Sequence, residues 1–133
     1  DGDIFSDISA ALGGSLATAS SVIISKDGTK LFEAPHGTAH DLYVRYLETE
    51  GKEANFNSSA LIFAVASALE ELATREDNVA LNDYAARLKT ALIETVAQGT
   101  ITGDLKGKTT SPETERIVDM HGFLGAIAEN LSA

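Results

Sequence analysis

The chain has 133 residues, of which 44% are hydrophobic and 23% charged, and its formal net charge is −10. This length and composition predict one folded domain. The negative charge disfavours nucleic acid and anionic membranes as partners, and the lack of cysteine excludes disulfides and thiolate-metal sites. The lack of cysteine fits a cytoplasmic protein, and no apolar run approaches the roughly 20 residues that cross a bilayer.

The first part of the chain predicts a short helix, a β-hairpin and a loop. Apolar residues in Ser6–Leu12 recur at helical spacing. The β-branched stretch SVIIS (21–25) predicts a buried strand, and an Asp-Gly turn joins it to a second strand, KLFEA (30–34). Residues 35–57 are polar and irregular, which is typical of a loop that carries function.

The second part of the chain predicts three longer helices. They run from Ser58 to Glu76, from about Asn82 to Gln98, and from Asp119 to Leu131, and residues 100–113 separate the last two as a loop. The first of these helices has an apolar stripe, made of Leu61, Ile62, Val65, Leu69 and Leu72. Short strands packed by about four helices predict the α/β class, and the absence of G-x-G-x-x-G argues against a Rossmann fold.

The stretch GDIFSD places two carboxylates four residues apart. On one helical turn Asp3 and Asp7 project from the same face, and such oxygen ligands suit Mg²⁺ or Mn²⁺. The alternative is an acidic helix start, where aspartate interacts favourably with the helix dipole. The spacing alone leaves both interpretations open.

The stretch APHGTAHD follows the second predicted strand. A His36-Gly37-Thr38 turn can bring backbone N–H groups close to a phosphate or ribose, since Gly37 permits close approach. The alternative is an ordinary turn with a surface histidine. Asn57, ahead of a helix, and Asp104, in TGDL, are each explained individually as a cap or turn residue.

Taken in order, the segments DGDIFSD, GGSLATASS, EAPHGTA, ALIFA, IETVAQGTITGDL and AENL resemble the C-terminal part of isocitrate dehydrogenase. The resemblance covers essentially all 133 residues, which it implies are a single domain with the isocitrate/isopropylmalate dehydrogenase-like fold. It divides the chain into a metal-ligand segment (1–20), an adenosine-binding loop (35–57) and a helical part (58–133).

The resemblance implies a role for each matching position. Asp3 and Asp7 match carboxylate ligands of Mg²⁺ or Mn²⁺, which acts as a Lewis acid in this family. Asn57 matches an asparagine that contacts the adenine, and Asp104 matches a weaker contact on the adenine side. The loop around the adenosine half of the dinucleotide is matched by His36, Gly37, Thr38 and Ala39.

One departure from the family pattern concerns the cofactor. NADP-using relatives carry an Arg-His pair after His-Gly-Thr that grips the 2′-phosphate, whereas this chain has Asp41 and Leu42. A carboxylate repels a 2′-phosphate but accepts a hydrogen bond from a ribose 2′-hydroxyl, so Asp41 favours NAD over NADP. His40 and Arg45 lie nearby and could still hold a phosphate.

The resemblance implies oxidative decarboxylation of isocitrate to 2-oxoglutarate in a homodimer. The catalytic residues of the family have no counterpart in this chain, so we expect part of a longer enzyme that does not turn over substrate alone. One alternative is an isopropylmalate or homoisocitrate dehydrogenase. Another is a non-catalytic acidic module that binds a cation or a partner protein.

Overall fold

A computed structural model describes residues 20–34, 39–50, 57–107, 109 and 112–133, with the backbone alone for 39–42. These residues form four α-helices and two separate two-stranded sheets, so the predicted α/β class is confirmed. Within these ranges no doubly wound parallel sheet is present. The predicted helix at Ser6–Leu12 lies outside the described residues.

The predicted β-hairpin is confirmed. Strand β1 (Ser21–Ile24) pairs antiparallel with β2 (Lys30–Glu33), with Ser21 opposite Glu33 and Ile24 opposite Lys30. In the turn, the Asp27 carboxylate accepts hydrogen bonds from the Ser25 hydroxyl and from the Thr29 backbone N–H. Asp-Gly turns suit a hairpin because the second residue needs a positive φ, and Gly28 has a φ of 85°.

The prediction that β1 is buried is wrong. Val22, Ile23 and Ile24 are 45%, 51% and 59% exposed. The hairpin sheet has only two strands, and its helical contact runs mainly through β2, where Lys30 Nζ lies 2.6 Å from Glu71 Oε2. Composition fixed the strand type, but burial depends on what packs against the strand.

The prediction of an irregular loop over residues 35–57 is wrong for its central part, which is helix α1 (Ala39–Glu48). Tyr43, Tyr46 and Leu47 lie three and four residues apart, which is a helical period that the polar surroundings obscured. All three are more than half exposed. Helix α1 therefore brings no large buried side chain to the core among its described residues.

The three longer helices form the packed part of the chain. Helix α2 (Ser59–Arg75) packs against α3 (Val79–Ala97), and α3 packs against α4 (Met120–Ser132). Helix α3 begins three residues earlier than predicted because the Asn78 side chain caps it, accepting from Leu81 N at 3.0 Å. The buried core cluster lies between α3 and α4 and consists of Ala91, Leu92, Phe123 and Ile127.

The predicted apolar stripe of α2 is only partly buried. Leu61, Val65 and Leu72 are 54%, 46% and 40% exposed, whereas the helix buries small residues. These buried positions are Ser59, Ala60, Ala64, Ala66 and Ala73. Small side chains let two helices approach closely, and this explains why the alanine face of α2, and not its leucine face, is the covered one.

The segment between α3 and α4 is more ordered than the predicted loop. Strand β3 (Thr100–Ile101) pairs parallel with β4 (Arg116–Ile117). Two short 3₁₀ turns, Gly103–Leu105 and Pro112–Thr114, lie between these strands. Two backbone hydrogen bonds join the start and the end of this segment. Arg116 N donates to the Gly99 carbonyl at 2.7 Å, and Val118 N donates to the Ile101 carbonyl at 2.8 Å.

Candidate functional site

The predicted site residues fall into three groups. Asp3, Asp7, His36, Gly37 and Thr38 lie outside the described residues. Ala39 and Asp41 lie in the first turn of α1. Asn57 and Asp104 are both described with their side chains, and they carry the geometry of the site.

Asn57 and Asp104 are in direct contact although 47 residues separate them in the sequence. The Asn57 Nδ2 donates to Asp104 Oδ2 at 2.5 Å, and the Asn57 backbone N–H donates to the same oxygen at 3.3 Å. The fold explains this meeting. Asn57 lies two residues before the start of α2, Asp104 follows β3, and α2 and β3 both pack against α3.

The Asn57 amide is held from both ends. Its Oδ1 accepts from the Ser59 backbone N–H at 3.1 Å, which satisfies one of the free N–H groups at the start of α2. Its Nδ2 donates to Asp104, so the amide orientation is fixed by two different partners. Asn57 is 1% exposed, which makes it a buried positioning group for the carboxylate beside it.

Thr102 is a member of the site that sequence reasoning missed. Its hydroxyl donates to Asp104 Oδ1 at 2.6 Å, and the residue is completely buried. Together with Asn57, it engages both oxygens of the carboxylate. The available signal was the Thr-x-Asp spacing in TGDL. In turns, the side chains of Thr and Asp often form hydrogen bonds with groups about two residues away.

The arrangement leaves the carboxylate of Asp104 able to bind a further donor. Asp104 is exposed, and its carboxylate has four lone pairs, of which the two bonds from Asn57 to Oδ2 and the one from Thr102 to Oδ1 use three. An ionised carboxylate in a fixed orientation accepts a hydrogen bond from an amine or hydroxyl of a ligand. This arrangement supplies binding chemistry for a ligand donor.

The described residues also bear on two other features, a metal site and a membrane-spanning helix. No group of three or more His, Cys, Asp or Glu side chains is arranged there to hold a metal ion. No helix in those ranges has the length and hydropathy needed to cross a membrane. The predicted metal ligands, Asp3 and Asp7, lie outside the described residues.

Sequence comparison identifies the family. Residues 1–120 match the family described as Isocitrate/isopropylmalate dehydrogenase. The chain is 36% identical over 134 residues to the chloroplastic/mitochondrial isocitrate dehydrogenase [NADP] of Arabidopsis thaliana, covering 98% of this chain and 27% of that protein. It is 37% identical over 134 residues to the mitochondrial enzyme of the same name from Saccharomyces cerevisiae, covering 98% and 31%.

A third relative is the cytosolic isocitrate dehydrogenase [NADP] of Arabidopsis thaliana. It is 35% identical over 136 residues, which cover 98% of this chain and 32% of that protein. The chain thus spans between 27% and 32% of the length of these three relatives. Their names include chloroplastic, mitochondrial and cytosolic forms, so the compartment of this chain is not determined by them.

The prediction that NAD is favoured over NADP is wrong, because each of these relatives is named as an NADP enzyme. That prediction rested on the residue types Asp41 and Leu42, which stand where NADP-using relatives carry an Arg-His pair. The structure places Asp41 in the first turn of α1, where an acidic residue is favoured by the helix dipole without reference to a cofactor. The family match and the relatives together show that the chain belongs to the isocitrate/isopropylmalate dehydrogenase family.

Proposed function

We propose that this chain supplies the adenosine side of the NADP site of an isocitrate dehydrogenase, which oxidatively decarboxylates isocitrate to 2-oxoglutarate. The observation that carries the proposal is the contact between Asn57 and Asp104. These two positions were assigned to the adenine side from the resemblance alone, and they come from distant parts of the chain. Their meeting in one polar cluster supports a shared ligand.

The chemistry of the cluster suits an adenine. The exocyclic amine of adenine is a donor, and the oriented carboxylate of Asp104 is an acceptor with one unused lone pair on Oδ1. Asn57 is 1% exposed, so its amide orients this carboxylate, and the exposed Asp104 presents the acceptor to the adenine. The pair therefore offers an oriented acceptor for the amine on an adenine edge.

The names of the relatives support the proposed cofactor and substrate. The relatives named above are isocitrate dehydrogenases with NADP in their names, and this supports NADP and isocitrate over isopropylmalate or homoisocitrate. The bound dinucleotide would accept the hydride from the substrate. The described residues of this chain would anchor its adenosine end, which contributes binding and orientation.

Several predictions from the sequence remain part of this proposal. They are Mg²⁺ or Mn²⁺ at Asp3 and Asp7, the adenosine loop at His36, Gly37, Thr38 and Ala39, and a homodimeric assembly. A cytoplasmic location remains proposed on the same basis. None of these carries the proposal, because the Asn57–Asp104 contact is independent of them.

Calorimetric titration of the chain with NADP tests the proposal. We expect Asp104→Ala to weaken NADP binding roughly ten-fold or more, the order expected when a charged hydrogen-bond acceptor is lost. Asp83→Ala is the matched control, since Asp83 is an exposed aspartate near the opposite end of α3. Equal NADP affinity in Asp104→Ala and the unmodified chain would contradict the proposal, and so would binding of NAD without NADP.

A further inference from the structure

The turn that carries Asp104 is closed on its far side by a second carboxylate. Gly107 lies three residues after Asp104, and its backbone N–H donates to both Oε1 and Oε2 of Glu115, each at 3.1 Å. The Thr109 hydroxyl donates to Glu115 Oε1 at 2.6 Å. One carboxylate thus binds two points of the segment that leaves the Asp104 turn.

This carboxylate is itself firmly placed. Glu115 directly precedes β4, whose first residue, Arg116, donates its backbone N–H to the Gly99 carbonyl at 2.7 Å. The strand that follows Gly99 leads to Thr102 and Asp104. Glu115 therefore links the start of β4 to the segment that follows the Asp104 turn, through its bonds to Gly107 and Thr109.

The entry to the turn is held by different groups. Leu105 is 5% exposed and its backbone N–H donates to the Thr102 carbonyl at 3.0 Å, while the Thr102 hydroxyl bonds to Asp104. Gly107 has a φ of 73°, a backbone conformation that glycine adopts without strain. Beyond Leu105, the contacts of Gly107 and Thr109 with Glu115 tie the chain down again.

The charge of Glu115 suits this role. Hydrogen bonds from the Thr109 side chain and the Gly107 backbone, followed by the nearby Lys106 ammonium, hold the pKa of Glu115 below its usual value. The group is consequently ionised at neutral pH. Hydrogen bonds to an ionised carboxylate are stronger than those between neutral groups.

We propose that Glu115 is a positioning residue that fixes the turn carrying Asp104 and so holds Asp104 in place for the adenosine of NADP. This inference rests on the proposed function. Glu115 acts through Asp104 and does not touch the dinucleotide. Removing its carboxylate should therefore weaken NADP binding only as long as Asp104 is able to bind.

The test measures the dissociation constant of NADP for Glu115→Ala with and without a second change at the site. We expect Glu115→Ala alone to raise it roughly three- to ten-fold, less than the loss of a direct charged hydrogen bond, because Glu115 acts through Asp104. Glu115→Gln, which keeps one acceptor oxygen, should recover part of the affinity. Glu113→Ala is the matched control because Glu113 is an exposed glutamate two residues earlier in the same loop.

Measuring the effect of Glu115→Ala in the Asp104→Asn variant as well separates a positioning role from general destabilisation of the fold. In Asp104→Asn, which keeps one oxygen at the site, we expect Glu115→Ala to change the dissociation constant by less than about two-fold, since coupled residues are not additive. A purely structural effect would lower affinity equally in both backgrounds. Equal effects, or no effect in either background, would overturn the proposal.

Amide hydrogen exchange at Gly107 keeps this test distinct from that of the proposed function. If the unmodified chain does not bind NADP, the proposed function fails, and the role of Glu115 is then decided by exchange in the free chain. Faster exchange of the Gly107 amide in Glu115→Ala than in Glu113→Ala would support the positioning role. Equal exchange rates in the two variants would contradict it.

Discussion

The β1–β2 hairpin and the helical unit of α2, α3 and α4 use similar apolar residues with opposite results. Phe123 and Leu92 are 0% and 1% exposed in the helical unit, whereas Ile24 in the hairpin is 59% exposed. Hydrophobic stabilisation scales with the apolar area removed from water. Among the residues that the structure describes, the helical unit therefore carries most of the stability that apolar side chains provide.

The candidate site belongs to the stable side of this comparison. Asn57 lies two residues before α2, and Asp104 follows β3, which begins three residues after α3 ends. Contacts that fix a ligand group are most accurate when rigid, packed elements support them. Substitutions in the hairpin should therefore leave the site intact, whereas substitutions in the helical core should disturb both folding and NADP binding.

The largest expected effect comes from truncating a core residue. We expect Phe123→Ala to lower the free energy of unfolding by about 3–5 kcal/mol, since it leaves a cavity at the α3–α4 interface. The control in the hairpin is Ile24→Ala, for which about 1 kcal/mol or less is expected because the side chain is already largely in water. Urea denaturation measures the free energy of unfolding of both variants, and similar decreases in the two would contradict the difference between the hairpin and the helical unit.

A matched pair of glycines gives the next largest difference. Gly99 and Gly28 both have a φ of 85°, but a Cβ added to Gly99 would lie 2.6 Å from the Thr114 carbonyl oxygen, while one added to Gly28 meets nothing within 4 Å. We expect Gly28→Ala to cost about 1–2 kcal/mol from backbone strain alone. Gly99→Ala should cost clearly more, because the contact with Thr114 also disturbs the β3–β4 pairing.

The same denaturation experiment checks the glycine pair. Equal losses of stability for the two variants would show that the clash at Thr114 is relieved without cost. A larger loss for Gly28→Ala would reverse the comparison between the hairpin and the helical unit.

Helix caps supply a smaller contrast within the helical unit. The Asp119 side chain caps α4, accepting from Gly122 N at 2.7 Å, whereas the Ser58 hydroxyl makes no cap hydrogen bond to α2. We expect Asp119→Ala to cost about 1 kcal/mol and Ser58→Ala less than about 0.5 kcal/mol. A larger loss for Ser58→Ala would mean that its hydroxyl has a structural partner.

The smallest expected effect is a local pH dependence in the hairpin turn. Hydrogen bonds from the Ser25 hydroxyl and then the Thr29 backbone lower the pKa of Asp27 from its ordinary value of 3.8. A lowered pKa means that the ionised group stabilises the turn above pH 3.8 and that this stabilisation is lost as the pH falls through the lowered value.

Exchange protection of the Thr29 amide measures this loss. It should decrease as the pH falls through the lowered pKa of Asp27, and Asp27→Asn should remove that pH dependence because the amide does not titrate. An identical pH profile in the unmodified chain and the variant would contradict the role of Asp27.

The sequence was sufficient for elements whose signals are local. The Asp27-Gly28 turn predicted the hairpin, and Gly99 predicted the end of α3, because positive φ is a property of single residues. The prediction failed where burial decides the outcome. Neither the exposure of β1 nor that of Leu61 on α2 can be obtained from periodicity, which identifies an apolar face but not what covers it.

The site shows a similar division. Asn57 and Asp104 were identified through resemblance to a family, whereas their mutual contact and the buried hydroxyl of Thr102 are tertiary features. The mistaken preference for NAD arose because the Asp41 carboxylate, in place of the family's Arg-His pair, was given a role in cofactor selection. Helix α1 has weak start signals and a polar sequence, so the helical turn at Asp41, where acidic residues are favoured by the helix dipole, was not predicted.

The central claim, that the Asn57–Asp104 pair binds the adenosine of NADP, is tested most directly by NMR titration of the isotope-labelled chain with NADP. We expect the resonances of the Asn57 side-chain amide and of the Gly103 and Asp104 backbone amides to change in chemical shift and to saturate with NADP. The chemical shifts of the Ile23 and Ile24 amides in the hairpin should not change. Shifts confined to the hairpin, or no shifts at Asn57 and Asp104 at saturating NADP, would contradict it.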